Sequence, residues 1–271
     1  TAMSDRYARY QELKFDRPHP RVLRITIASS MKMNAMSARL HGEISEVWKD
    51  VDADPTVSVA IITGSEKAFS AGGDLAHERK CCDDYDMRMQ AMKEARELVL
   101  NMINCSKPIV SAVRGWAVGA GIAAALLADI SIAAKDAKFS YGHAKIGVAA
   151  GDHATILWPL LCGMARAKYY LLLSETFTGE EAANMGIVSM AVEPDQVEAK
   201  SIEVATRLAE LAPAAARWTK HTLNYWLRQA APIFEASLAL EFIGFAGPEG
   251  KEGIDAFLQK RAASFPVDTK A

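Results

Sequence analysis

A histidine and an aspartate within one glycine-containing loop are the residues of this sequence best suited to proton transfer. The loop, residues 141–153, reads YGHAKIGVAAGDH and contains His143 and Asp152. A carboxylate paired with an imidazole can orient the ring and raise its basicity near neutral pH. We therefore predict that the two side chains lie side by side and act as an acid–base pair.

Two turns made of small residues precede this loop and could stabilise a developing negative charge. The first reads SAGGD at residues 70–74, and the second reads WAVGAG at residues 116–121. Each turn ends a β-branched, strand-like run and begins a helix-like one, so unpaired backbone N–H groups can approach a ligand carbonyl closely. Together the turns predict a two-donor oxyanion hole beside the histidine.

The elements that must position these turns alternate between strand and helix over the first two-thirds of the chain. Strand-like runs lie at residues 21–27, 57–63 and 109–113, and a helix-like segment lies at residues 37–51. A charge-rich stretch at residues 77–86, which includes His77 and Glu78, is predicted to be a solvated loop. The later part of the chain is predicted to be mainly helical, with helices at residues 195–211, 213–229, 232–245 and 251–262.

Composition and charge exclude several classes of protein. The 271 residues, 24% charged and 50% hydrophobic, are ordinary for a globular protein that buries a substantial core. The net charge of −2 favours neither a nucleic acid nor an anionic membrane as partner. No apolar run is long enough to span a bilayer, and the polar first seven residues do not resemble a secretory leader. The four cysteines fit no zinc pattern, so we expect no metal, reduced thiols and a cytoplasmic location.

Taken in order, four segments of the chain resemble the crotonase (enoyl-CoA hydratase/isomerase) superfamily. They are residues 67–75 (KAFSAGGDL), 107–121 (KPIVSAVRGWAVGAG), 128–130 (ADI) and 251–261 (KEGIDAFLQKR). The resemblance covers nearly the whole chain. It implies an α/β fold in which residues 1–196 form a crotonase-like spiral of repeated ββα units and residues 197–271 form a C-terminal helical trimerisation region. It further implies a homotrimer or dimer of trimers that acts on acyl-CoA, with coenzyme A as part of the substrate and no tightly bound cofactor.

The resemblance also assigns roles to individual positions. The backbone N–H groups of Gly73 and Ala120 would be the oxyanion donors, each of which is typically worth ~3–4 kcal/mol of activation barrier. The remaining contacts would be with coenzyme A. They comprise the backbone of Ala71 and Leu75 near the adenine and pantetheine portions, and Phe257 and Lys260 near a coenzyme A bound by the adjacent subunit.

The chain departs from the family at the two positions that carry catalytic glutamates in its hydratases. Those positions are occupied by Ala123 and His143, so a different acid–base system must operate. The pattern of His143 and Asp152 resembles the 6-oxocamphor hydrolase branch, in which a histidine and an aspartate activate water to cleave a carbon–carbon bond. In contrast to that branch, Ala120 keeps the backbone donor typical of enzymes that use acyl-CoA.

These observations lead us to expect an enoyl-CoA hydratase/isomerase-family enzyme, a lyase or isomerase, that works through an oxyanion or enolate intermediate. One alternative is a hydrolase that cleaves a C–C bond in a β-dicarbonyl substrate, and another is a catalytically silent acyl-CoA-binding protein. Asp152 could instead be the N-cap of a helix, and His153 is expected to point away from the site. Glu241 is expected on a solvated helix face, although Glu241 and His77 are the next candidates for the site.

Overall fold

In the computed structural model, which describes residues 5–267, ten strands form two sheets. The larger sheet has the strand order β1-β2-β3-β5-β7-β10, and the smaller sheet has the order β4-β6-β8-β9. The strands are β1 (Leu13–His19), β2 (Val22–Ile27), β3 (Val59–Thr63), β4 (Ala68–Ser70), β5 (Ile109–Val113), β6 (Trp116–Val118), β7 (Ile130–Ala134), β8 (Lys138–Ser140), β9 (Thr176–Thr178) and β10 (Met190–Val192).

The chain passes from the larger sheet to the smaller one in a repeating pattern. Strands β3, β5 and β7 are parallel neighbours in the larger sheet, and each is followed along the chain by β4, β6 and β8, respectively. These three are in turn parallel neighbours in the smaller sheet, and a helical segment follows each of them. The predicted α/β spiral of ββα units is therefore confirmed.

Helices surround the sheets and dominate the last third of the chain. They are α1 (Ala38–Ala53), α2 (Leu75–Asp83), α3 (Tyr85–Asn104), α4 (Ala120–Leu126), α5 (Ala154–Cys162), α6 (Met164–Leu173), α7 (Gly179–Met185), α8 (Val197–Glu210), α9 (Pro213–Leu223), α10 (Tyr225–Gln229), α11 (Ala231–Ala246) and α12 (Pro248–Leu258). Of the predicted C-terminal helices, the one at residues 213–229 is divided at Asn224 into α9 and α10, and the last begins and ends earlier than predicted.

The core lies against the central strands of the larger sheet. Every residue of β5 is buried, and so are the first four residues of β3. Such continuous burial is expected for parallel strands that are covered on both faces. Helix α8 packs against these two strands. Strands β3 and β5, which precede the two strands that end in the glycine turns, are therefore held in the core.

The prediction of a solvated loop at residues 77–86 is wrong. Helix α2 occupies most of this stretch and begins where the side chain of Asp74 accepts a hydrogen bond from the Ala76 N–H. Asp84 caps α3 in the same way. Of the acidic residues that suggested a loop, Asp84 is therefore a helix cap, a position that Asp favours because its carboxylate satisfies an unpaired N–H, and Asp83 forms ion pairs with Arg79 and Lys251.

The C-terminal helices expose large apolar side chains, including Trp218 (72% exposed), Trp226 (65%) and Ile243 (66%). Trimerisation through this region stays a prediction, as does the division of the chain after residue 196. Within residues 5–267, no helix combines the length and the apolar character needed to cross a membrane. All four cysteines are free and buried. Residues 1–4, on which part of the leader expectation rests, lie outside the described residues.

Candidate active site

The two predicted oxyanion turns leave adjacent parallel strands of the smaller sheet. Gly73 follows β4 and Ala120 follows β6, and these strands pair with each other. The other neighbour of β6 is β8, which leads directly to His143. Because the carboxyl ends of neighbouring parallel strands lie at one edge of a sheet, the fold brings these three segments together.

Two glycines allow the turns to approach each other. Gly72 has φ 87° and Gly119 has φ 52°, conformations that residues with a side chain rarely adopt. A Cβ atom added to Gly72 would lie 3.0 Å from Val118 Cγ1, and one added to Gly119 would lie 3.8 Å from the Cα atom of Gly72. A side chain at Gly72 would therefore push the two turns apart.

The backbone N–H groups of Gly73 and Ala120 are both available to a ligand. Met36 donates its N–H to the Gly72 carbonyl (2.7 Å) and accepts from the Asp74 N–H (3.2 Å), so the Gly73 N–H between them faces away from Met36. Ala120 is the first residue of α4, where an N–H has no partner within the helix. Within residues 5–267, neither N–H has a hydrogen-bond acceptor.

His143 begins a short 3-10 helix, His143–Ile146, and its ring is held from two directions. The ring of Tyr141 stacks on it, with centroids 4.0 Å apart and planes 9° apart. Its Nε2 atom lies 3.0 Å from Oε1 of Glu241 on α11. The side chains of His143 and Glu241 are only 13% and 8% exposed, so their interaction is largely shielded from water.

The charge state of His143 follows from these neighbours. Burial by itself lowers the pKa of His143, but the charge and hydrogen bond of Glu241, together with the charges of Asp152 and Glu78, raise that pKa to about 9. These neighbours therefore favour the protonated, imidazolium form of the ring near neutral pH. Glu241 is buried rather than solvated, which corrects the expectation for this residue.

The hydrogen bond predicted between Asp152 and His143 is not formed. Oδ1 of Asp152 instead accepts from the Tyr141 hydroxyl (2.7 Å) and lies 2.6 Å from Nδ1 of His153. Trp158 Nε1 donates to His153 Nε2 (3.0 Å). Since an indole can only donate, Nε2 of His153 must be the acceptor and Nδ1 must donate to Asp152.

Two further expectations for this loop are corrected by the same contacts. His153 does not point away from Asp152, because it is its hydrogen-bond donor. Helix α5 begins at Ala154 with His153 as its N-cap residue, so Asp152 is not the N-cap. Burial raises the pKa of Asp152, but the hydrogen bond from His153, the charge of His143 and the hydrogen bond from Tyr141 hold it below its usual value.

Asp152 and His143 are nevertheless connected. Tyr141 stacks on the His143 ring with its aromatic face and donates its hydroxyl hydrogen to Asp152. The charge of Asp152 also contributes to the raised pKa of His143. Asp152 therefore influences His143 through Tyr141 and through space.

Two glutamates from distant parts of the chain complete this buried region. A Cβ atom added to Gly73 would lie 1.7 Å from Oε1 of Glu78, and one added to Gly151 would lie 2.1 Å from Oε2 of Glu241. Within residues 5–267, the Oε2 atoms of both glutamates are buried and have no hydrogen-bond partner. Such groups are costly in a folded protein and are expected where a ligand will bind.

Sequence reasoning placed Glu78 in a solvated loop and therefore missed it. Burial raises the pKa of Glu78 to about 7, the charge of His143 opposes this rise, and the charge of Glu241 adds to it. A signal was present in the sequence, because Glu78 precedes the buried Cys81 and Cys82 by three and four positions. That spacing places all three side chains on one face of a helix.

The residues predicted to contact coenzyme A lie at the surface or beside the first turn. Ala71, between β4 and Gly72, donates its N–H to the Met33 carbonyl (3.0 Å). Leu75 begins α2. Phe257, 63% exposed, lies near the end of α12, and the exposed Lys260 follows that helix.

The side chain of His77, unlike that of Glu241, makes no hydrogen bond within residues 5–267. Among residues 5–267, no group of three or more His, Cys, Asp or Glu side chains could hold a metal ion.

Several known proteins are similar to this chain in sequence and in structure. A family model described as enoyl-CoA hydratase/isomerase matches residues 19–267. Crotonyl-CoA hydratase of Syntrophomonas wolfei is 33% identical over 244 residues, which cover 86% of this chain and 90% of that protein. Mevalonyl-coenzyme A hydratase of Aspergillus fumigatus is 32% identical over 251 residues, covering 90% of this chain and 91% of that protein. The crystal structure of an enoyl-CoA hydratase/isomerase from Mycobacterium paratuberculosis superposes with a TM-score of 0.85 at 30% identity, covering 90% of this chain and 97% of that one.

Proposed function

We propose that this chain, which belongs to the enoyl-CoA hydratase/isomerase family, hydrates or isomerises an enoyl-CoA thioester through an enolate intermediate. The observation that carries the proposal is the position of two unpaired N–H groups, those of Gly73 and Ala120, on turns that adjoin His143. Two such donors can hold the thioester oxygen as negative charge develops on it.

Hydration illustrates what each group would do. Water adds to the β carbon and gives one proton to the neutral imidazole of His143, while the electron pair of the C=C bond shifts so that negative charge develops on the thioester oxygen, which Gly73 and Ala120 stabilise. A second proton-transfer group then protonates the α carbon, and the product is a 3-hydroxyacyl-CoA. In the reverse direction, the His143 imidazolium donates its proton to the departing β-hydroxyl group, which leaves as water.

The neighbours of His143 would keep it suited to this role. Glu241 holds the ring through its hydrogen bond and stabilises the positive charge. Asp152 acts as a positioning residue through Tyr141, in place of the direct pair that the sequence suggested. Ala71 and Leu75 would contact the adenine and pantetheine portions of coenzyme A. Phe257 and Lys260 would reach a coenzyme A held by an adjacent subunit of a homotrimer or dimer of trimers.

The two alternative functions have less support. Hydrolytic C–C cleavage was suggested by a direct pair of His143 and Asp152, and these residues instead bond to Glu241 and to Tyr141 and His153. A silent acyl-CoA-binding protein needs no proton-transfer groups, whereas His143 bonded to Glu241, and Glu78 against Gly73, adjoin the oxyanion turns.

A panel of thioesters distinguishes these functions. Purified protein is incubated with enoyl-CoA, 3-hydroxyacyl-CoA and β-dicarbonyl substrates of several chain lengths, and the products are identified by mass spectrometry. We expect gain of water by an enoyl-CoA, its loss from a 3-hydroxyacyl-CoA, or migration of the double bond. Cleavage of the dicarbonyl substrates alone would support the hydrolase, and binding without conversion would support the silent protein.

A further inference from the structure

Glu78 lies directly against the first oxyanion turn. Its Oε1 atom occupies the space in which a side chain of Gly73 would stand, 1.7 Å from the position of an added Cβ. The Gly73 N–H is one of the two donors assigned to the thioester oxygen, and the α carbon of a thioester is bonded to the carbonyl carbon. For a substrate whose thioester oxygen accepts the Gly73 N–H, Glu78 is therefore a carboxylate beside the turn that holds the carbonyl group.

We propose that Glu78 is a catalytic residue, the group that exchanges a proton with the α carbon. This inference rests on the proposed function and deepens it by assigning the second proton-transfer group. The two positions at which family hydratases carry glutamates are Ala123 and His143 in this chain, so the carboxylate would come from α2 instead.

The flanking residues hold Glu78 in place. Arg79 donates from Nε to Oδ1 of Asp255 on α12 at 2.7 Å. Lys251 of α12 lies 2.8 Å from Asp83, the last residue of α2. These ion pairs attach α2 to α12 and leave the Glu78 side chain directed to the interior, where its Oε2 atom is buried and without a partner in residues 5–267.

The chemistry balances when Glu78 and His143 work together. In dehydration, the Glu78 carboxylate takes the α proton, and the electron pair of the broken C–H bond forms the enolate held by Gly73 and Ala120. The enolate then expels the β-hydroxyl group, which receives a proton from the His143 imidazolium and leaves as water. Hydration runs through the same steps in reverse. Dehydration starts with the proton on His143 and hydration starts with the proton on Glu78, and in each case the other residue is ready to accept one.

Burial is the main cause of the raised pKa of Glu78, and several charged groups around it modify that pKa. They are Asp74 at the start of its own helix, His143, Glu241 on α11 and His41 on α1. His41 is itself bound to Glu94 on α3, with its Nδ1 atom 2.7 Å from Oε2. The carboxylates and the histidines act in opposite directions, so the balance leaves Glu78 able to both accept and release a proton near neutral pH.

Exchange of the α proton of a saturated thioester tests this role without requiring the natural substrate. Butyryl-CoA is incubated in D₂O with wild type, Glu78→Gln and Glu78→Asp, and deuterium incorporation at the α carbon is followed by mass spectrometry. We expect Glu78→Gln to lower the exchange rate by roughly 10²–10⁴-fold, the range typical for loss of an acid–base group. Glu78→Asp keeps the carboxylate and should retain more exchange than Glu78→Gln.

Two further measurements and a control variant separate catalysis from structure. The dissociation constant for butyryl-CoA should change little in Glu78→Gln, and the urea midpoint should be equal to or higher than that of wild type, because an unpaired buried carboxylate has been removed. A purely structural role would lower that midpoint instead. Glu66→Gln, a substitution at a residue whose side chain is 85% exposed, is the control and should match wild type.

The outcomes also separate this inference from the proposed function. If wild type exchanges the α proton and Glu78→Gln does so at a similar rate, Glu78 is not the catalytic group and the proposed function still stands. If wild type neither exchanges the α proton of butyryl-CoA nor converts any thioester of the panel, the proposed function fails, and the role of Glu78 fails with it.

Discussion

His143 and Glu241 are separated by 98 positions in the sequence, and Nε2 of one lies 3.0 Å from Oε1 of the other. The interaction joins the segment after β8 to α11, so a C-terminal helix completes a site whose other parts project from the smaller sheet. The electrostatic partner of His143 is therefore a glutamate contributed by the helical region.

Replacing Glu241 by Gln should lower the pKa of His143 from about 9 towards its ordinary value of 6.5. If the imidazolium donates a proton during dehydration, the alkaline limb of kcat/KM for a 3-hydroxyacyl-CoA should move to lower pH by a similar amount. The pH profile measures this shift, and NMR titration of His143 checks its origin. Glu235→Gln, on the exposed side of the same helix, is the control. An unchanged alkaline limb would show that the ionisation of His143 does not govern the rate.

The raised pKa of His143 also predicts how the stability of the fold depends on pH. The folded-state pKa of His143, about 9, lies above the ordinary 6.5. Its stabilising contribution is thus fully present below about pH 6.5 and is lost as pH rises through about 9. Urea unfolding between pH 6 and 10 should show wild type losing more stability at alkaline pH than His143→Gln. Parallel curves for the two proteins would contradict this assignment.

Replacing Asp152 by Asn should affect both stability and activity. The substitution removes the charge that accepts hydrogen bonds from Tyr141 and His153, and we expect the free energy of unfolding to fall by about 1–3 kcal/mol. Because Asp152 reaches His143 only through Tyr141 and through space, kcat should fall less than in a variant that lacks the imidazole. Urea titration and steady-state kinetics measure these effects, with the exposed Asp195→Asn as control. A loss of activity equal to that of His143→Ala would instead support a direct catalytic pair.

Much of this architecture was predictable from the sequence, but several contacts of the site were not. The glycine turns around Gly72 and Gly119 were predictable because a short run of small residues in the sequence identifies each of them. The partner of His143 lies on a helix far along the chain, so no local pattern indicates it. Glu78 was missed because capping aspartates and surface ion pairs give α2 the charge density of a loop. Asp152 and His153 are adjacent in sequence, and only the contact with Trp158 reveals which nitrogen of His153 carries the proton.

Lys260→Ala should weaken the binding of coenzyme A thioesters if the side chain faces a phosphate. The loss expected for an exposed charge pair is about 0.2–1 kcal/mol, and it should shrink as the salt concentration rises. Isothermal titration with butyryl-CoA at low and high salt measures it, with the exposed Lys168→Ala as control. Equal affinity for wild type and Lys260→Ala at low salt would remove Lys260 from the binding site.

Turnover of His143→Ala on the thioester that wild type converts fastest tests the role of this histidine directly. We predict that kcat falls by roughly 10²–10⁴-fold or more, because the proton donor is lost. The dissociation constant for the thioester should stay nearly unchanged, since the Gly73 and Ala120 donors remain, and the surface variant His19→Gln should behave as wild type. Near wild-type turnover by His143→Ala would contradict the catalytic role of His143, because the proton transfer would then take place without this histidine.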